Sequence, residues 1–153
     1  MLLSRAEFWL MNNPVRSACQ RYYELPHLRR LGGDLKGGLV LEVGCGRGRG
    51  VELILDQLGA DTVHAFDLDP KMVALARRRL ASRGDRMRLW VGDATSIEAA
   101  DATYDAVVDF GIIHHIPDWR AALAEIFRVL KPGGRFLAEE IYRPFIVHPV
   151  LRR

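Results

Sequence analysis

The segment Leu39 to Gly48, LVLEVGCGRG, constrains the fold more than any other part of the chain. Three apolar residues, Leu39, Val40 and Leu41, run toward an acid, Glu42. Glycines follow at Gly44, Gly46 and Gly48, and a helical pattern sets in from Val51. That order describes a buried strand, a turn too tight for side chains, and a helix. Glycine is needed where the backbone takes positive φ or where a ligand lies against it. The acid at the strand end would repel a pyrophosphate and suits a ligand with a cationic or hydroxylated end. The dinucleotide fingerprint G-x-G-x-x-G does not fit in either register. Counted from Gly44 its third glycine falls on Arg49, and counted from Gly46 on Val51.

Downstream, strand and helix patterns alternate. The spacing predicts strands at about 39–43, 62–67, 87–91, 104–110 and 135–141, and helices at about 49–58, 70–82 and 118–130. Asp69 before Pro70, and Asp118, stand where helix caps belong. Leu123, Ile126, Phe127 and Leu130 have the spacing of a core-facing helical stripe. Upstream, Ser4 to Glu7 spaces like a capping box and Asn13-Pro14 like a second helix start, so residues 1–31 read as helical, the second helix ending near Leu25 before Pro26. Gly32, Gly33, Gly37 and Gly38 mark a linker. The expectation is one α/β domain over 1–153, a Rossmann-like, doubly wound, mainly parallel sheet with helices on both faces. It carries an N-terminal helical cover and linker (1–38) on a core (39–153). In such sheets ligands bind beyond the carboxyl ends of the strands, where strand order reverses. Glu42, Asp67, Asp93, Asp109 and Glu140 fall at or near those ends.

Composition excludes several classes. The 153 residues suffice for a single core, and two cysteines, Cys19 and Cys45, fit a reducing cytoplasm and neither a disulfide scaffold nor a zinc site. No metal site is expected. No run approaches a membrane span and no signal peptide stands out. Net charge is only +3, and the run Arg77 to Arg79 sits on a predicted helix away from the binding loops, so a solvated face outweighs a nucleic-acid patch.

The pattern Glu42-x-Gly44-x-Gly46-x-Gly48 resembles motif I of the class I S-adenosylmethionine-dependent methyltransferases, small-molecule branch. Other landmarks of that family follow in order: Phe66 to Pro70 (FDLDP), Val91 to Ala94 (VGDA), Asp105 to Val108 (DAVV) and Leu130 to Gly134 (LKPGG). The resemblance implies S-adenosylmethionine as cofactor, S-adenosylhomocysteine as product, and a small-molecule acceptor. It implies that Glu42 helps hold the methionine end, that Gly44, Cys45 and Gly46 form the turn, and that Asp67, followed by Leu68, takes the ribose diol. Asp69 is a rival for the diol but reads better as a cap. Asp93 would accept from the adenine amino group and Ala94 would meet a ring nitrogen, although a turn aspartate binding its own backbone has the same sequence. Trp90 reads as a core strand aromatic more than as a partner of the base. Phe110 and Gly111 lead into Ile112-Ile113-His114-His115, a segment that lines the methyl pocket in many members. Catalytic candidates are His115, His114 and Glu140, against the plainer reading of histidines that hold the loop. Cys45 reads as packing in the turn, not as a nucleophile. The segment Phe110 to Ile113 lacks an Asn-Pro-Pro-Tyr or Asp-Pro-Pro-Tyr tetrapeptide, which argues against adenine-N6 or glutamine methylation.

Members of the family usually continue past the fifth strand with a helix and two further strands. Here the C-terminus is short and contains Pro144 and Pro149. The expectation is a shortened fold that self-associates through its C-terminal side, with a cofactor-binding or partner module that does not catalyse alone as the rival class.

Overall fold

The computed structural model describes Ala18, residues 20–32 and residues 34–139. Helix α1 (Leu25–Arg30) continues directly from a π-helical turn, Gln20–Glu24. Then follow β1 (Leu39–Val43), α2 (Arg49–Asp56), β2 (Thr62–Asp67), α3 (Pro70–Arg79), a 3₁₀ segment (Ala81–Arg86), β3 (Met87–Val91), β4 (Tyr104–Phe110), a 3₁₀ turn (Ile113–His115), α4 (Trp119–Val129) and β5 (Leu130–Glu139).

The five strands form one parallel sheet in the order β3-β2-β1-β4-β5. β1 is central, and the chain leaves it toward β2 and β3 before crossing back to β4. Strand order therefore reverses between β1 and β4, and that is where a crevice opens at the carboxyl ends. Alternation along each strand divides the core in two. Val40, Val63, Ala65, Ala106 and Val108 pack with α1, α2 and α3 through Leu25, Leu28, Val51, Ile54 and Val73. On the opposite face, Leu41, Val43, Phe66, Trp90 and Val107 pack with α4 through Ala122, Ile126 and Val129. The Rossmann-like architecture with helices on both faces is thus present.

Several local expectations are corrected. Pro26 does not end the upstream helix. The wide π turn before it lets the chain re-enter an α-helix with Pro26 in the first turn, where its missing N–H costs nothing. The core stripe of α4 is Ala122, Ile126 and Val129, while Phe127 is 64% exposed. The helix is rotated so that the smaller Ala122 lies against the sheet. Trp90, by contrast, is the core residue expected, its ring tilted against that of Phe66 at 5.3 Å between centroids. β5 begins at Leu130, not at residue 135. It pairs with Tyr104 there, then breaks register, and resumes with Ala106 opposite Arg135. Lys131 to Gly134 form that irregularity. A Cβ on Gly134 would lie 2.9 Å from the Lys131 carbonyl, so the tight loop needs glycine. Asp105 fastens the same corner, accepting from the Leu39 N–H at 2.8 Å and from Lys131 Nζ at 2.7 Å.

Candidate functional site

A cavity of about 440 Å³ opens at the reversal point, over the ends of β1, β2 and β4. All ten residues expected from the sequence to meet a cofactor line it: Glu42, Gly44, Cys45, Gly46, Asp67, Leu68, Asp93, Ala94, Phe110 and Gly111. His115 lines it too. His114 does not. It sits outside the cavity with its ring 4.0 Å from that of His115, because the 3₁₀ turn sends successive side chains in different directions. Glu140 lies outside the described residues.

The turn is held from several sides. Gly44, Gly46 and Gly48 all take positive φ, at 72°, 50° and 80°. Their reasons differ. A Cβ on Gly44 would collide with Ile112, and one on Gly48 with Ala76 of α3 and with Leu80 just past its end, whereas a Cβ on Gly46 would meet no atom within 4 Å. The first and third glycines allow close packing, and Gly46 presents bare backbone toward open space. Asp67 Oδ2 accepts from the Gly46 N–H at 2.9 Å and Oδ1 from the Asp69 N–H at 2.9 Å. The acid at the end of β2 thus ties the glycine turn down and still faces the cavity. Asp69 caps α3, accepting from the Lys71 N–H at 2.8 Å, as its place before Pro70 implies.

Asp93 combines the two roles weighed from sequence. Its Oδ1 accepts from the backbone N–H and hydroxyl of Thr95, both at 2.9 Å, and the residue also lines the cavity. Asp109 is fully buried, accepts from the Ile112 N–H at 2.8 Å, and orders the loop after β4 without lining the cavity.

Glu42 is the chemically unusual group. It is 2% exposed, and Oε2 has no hydrogen-bond partner among the described residues. The Val51 N–H at the start of α2 is near enough to its carboxylate to favour the ionised form. Burial, then the proximity of Asp67 and Asp109, hold its pKa well above the usual carboxylate range. Burial likewise raises Asp67, though the Asp69 and Gly46 N–H donors oppose it. Cys45 is pushed up by burial and then by Glu42 and Asp67, which keeps it a protonated, inert thiol. A buried acid with an unsatisfied oxygen beside two more carboxylates is a poor place for an anion and a good one for a cation.

Sequence reasoning missed other lining residues: Gln20, Arg47, Gly50, Met72, Ile116 and Asp118. Asp118 had been read only as a cap, which it also is, accepting from the Ala121 N–H at 3.0 Å. Arg47 and Gly50 lay inside or next to the glycine motif and could have been suspected from spacing. Gln20 comes from far upstream, and only the packing of α1 brings it there. Within the N-terminal segment expected as a helical cover, Tyr22 and Tyr23 are 75% and 66% exposed, and residues 1–17 lie outside the described residues.

Comparison with known proteins agrees with this geometry. Residues 40–134 match the model of the family described as methyltransferase domain. Phosphoethanolamine N-methyltransferase 2 of Caenorhabditis elegans is 34% identical over 72% of this chain and 25% of its own length. Demethylmenaquinone methyltransferase of Symbiobacterium thermophilum is 35% identical over 71% of this chain and 45% of its own. The crystal structure of an S-adenosylmethionine-dependent methyltransferase from Mesorhizobium loti superposes with a TM-score of 0.64 at 25% identity, covering 72% of this chain and 50% of that one. The chain spans less than half the length of the two curated relatives. The match of the family model over most of the sheet, on a fold whose cavity gathers the motif residues, shows that this chain belongs to the class I S-adenosylmethionine-dependent methyltransferases.

Proposed function

We propose that the cavity binds S-adenosylmethionine and that the chain takes part in methyl transfer to a small-molecule acceptor. The observation that carries this reading is Glu42: a buried carboxylate with an unpartnered oxygen, at the strand-order reversal, fits the ammonium of the cofactor's methionine end and rejects a pyrophosphate. The cofactor supplies an activated methyl group on a sulfonium, so the protein's task is to hold two reactants in line and exclude water.

Each lining residue then has a role on this reading. Gly44 and Gly46 let the ligand approach main chain. Asp67, already fixed by two backbone donors, keeps lone pairs for the ribose diol. Leu68, half-exposed at the cavity, offers apolar surface for the nucleoside. Asp93 Oδ2 remains for the adenine amino group, and the Ala94 N–H for a ring nitrogen. Phe110 and Gly111 floor the methyl end. His115, the histidine that lines the cavity, would take the proton that an acceptor O–H or N–H loses.

The acceptor classes named for the two curated relatives, a phosphoethanolamine and a demethylmenaquinone, are both small molecules, which supports a small-molecule acceptor here. The share of the relatives' length that this chain covers supports a second reading, a cofactor-binding module that needs further polypeptide, or a second copy meeting the outer edge of β5, for transfer. Among the described residues no helix is long and apolar enough to cross a membrane.

Calorimetry with S-adenosylmethionine, S-adenosylhomocysteine and NAD tests the proposal. Micromolar binding of the adenosyl ligands, about −8 kcal/mol, is expected, with none for NAD. Binding of NAD without response to the other two would overturn it. Binding without turnover, and a concentration-dependent mass by light scattering, would favour the module reading.

A further inference from the structure

Gly50 is the second residue of α2, and its φ lies outside the left-handed region that favours glycine. Glycine within a helix is a cost relative to alanine, so local backbone conformation gives no reason for it. Space does. A Cβ built on Gly50 would overlap Glu42 Oε1, lie 2.7 Å from Glu42 Cδ, and lie 2.8 Å from Phe110 Cδ2. The Glu42 side chain rises from β1 on the face covered by α2 and folds across Gly50, with the next N–H, that of Val51, close by. Its other oxygen is left unpartnered, and both residues line the cavity.

We propose that Gly50 is a positioning residue for the cofactor. Its missing side chain is the space that Glu42 needs in order to dock on the start of α2 and turn its free oxygen to the ligand. The inference rests on the reading of the cavity as an S-adenosylmethionine site. It adds a specificity determinant outside the three-glycine turn. A chain with the same turn but a side chain at position 50 must place its acid elsewhere and loses the charge that recognises the ammonium.

Four proteins test it: the unaltered chain, Gly50→Ala, Glu42→Ala, and the two changes together. Each is titrated with S-adenosylhomocysteine by calorimetry and melted without ligand. Gly50→Ala should weaken binding by about tenfold or more, the scale of one charge-assisted contact. Glu42→Ala should do the same, and the double variant should bind no more weakly than Glu42→Ala. In melting, Gly50→Ala should destabilise far more while Glu42 is present, since removing the acid removes the severest overlap, leaves only the Phe110 ring to shift, and leaves a better helix former. Unchanged affinity in Gly50→Ala, or losses that multiply in the double variant, would overturn the proposal. If Gly50→Ala does not fold, the double variant decides. Folding with the affinity of Glu42→Ala supports the steric link, and failure to fold assigns the collision to Phe110 and overturns it. If the unaltered chain gives no heat with the ligand, the assignment of the cavity fails, while the melting comparison still reads the packing of Glu42 on Gly50.

Discussion

Glu42 sets function against stability. Its folded-state pKa is raised, by burial first, then by Asp67 and Asp109, with the Val51 N–H opposing. A raised acid contributes its full stability below the ordinary carboxylate range and loses it as pH climbs through the folded value. Glu42→Gln keeps the volume and cannot ionise. The variant should therefore be more stable than the unaltered protein at neutral pH, and the gap should close on acidification. Asp67 is also raised, by its own burial first, and because its charge repels that of Glu42, the loss of that repulsion in the variant adds to the gap at neutral pH. Urea midpoints across pH measure the gap. Equal midpoints at neutral pH would mean that the ionised form of Glu42 is already compensated. The same variant should bind S-adenosylhomocysteine more weakly, because a neutral amide no longer attracts an ammonium.

Between elements, arginine does much of the fastening. Arg77 donates to the Leu89 carbonyl, Arg86 to the carbonyls of Ala60 and Asp61, and Arg83 makes two bonds of 2.8 Å to Asp56. The run Arg77 to Arg79, read from sequence as a solvated face, is therefore partly latched, Arg77 to β3 and Arg79 to Glu52 of α2, and Arg83 and Arg86 of the following 3₁₀ segment add ties to α2 and to the turn before β2. Arg128 is the densest of them. From α4 it bonds Glu125, Asp101, and the carbonyls of Ile97 and Ala99, holding the helixless connection between β3 and β4 against the sheet. The guanidinium is partly exposed, so solvent screens its ion pairs, and the bonds to backbone carbonyls matter more. Arg128→Ala should cost about 1–2 kcal/mol of stability. Arg78→Ala, an exposed site on α3, should change it by about 0.5 kcal/mol or less. Urea denaturation of the two variants checks the contrast, and equal midpoints would show that the connection is held by its apolar contacts alone.

For the molecule as a whole, the cavity draws on the loops after β1, β2, β3 and β4, and on Gln20 from the segment before α1. A ligand seated there binds only when sheet, α2 and α3 are assembled, so it must stabilise the folded chain by mass action. At about a hundredfold excess over its dissociation constant, S-adenosylhomocysteine should add about 2.7 kcal/mol. The added stability should appear as a rise in melting temperature that grows with ligand concentration. A melting temperature indifferent to the ligand would contradict binding at this site.

The order of elements was legible in the sequence because its signals are local. Apolar runs, the glycine spacing in Leu39 to Gly48, and caps such as Asp69 and Asp118 each act within a few residues, and they place β1 to β4 and the starts of α3 and α4 correctly. The residues that line the cavity were legible for the same reason, since they stand at or just beyond the ends of strands. What needed the tertiary structure is every choice between equivalent faces or distant partners. Periodicity alone cannot decide whether Phe127 or Ala122 faces the sheet. It cannot say that β5 pairs at Leu130 before its register breaks, or that Gln20 returns to the cavity. Nor can it show that Gly50 is empty for the sake of an acid eight positions earlier on a different element. Those outcomes depend on steric fit between segments remote in sequence, and no local pattern encodes the volume that a neighbour will need.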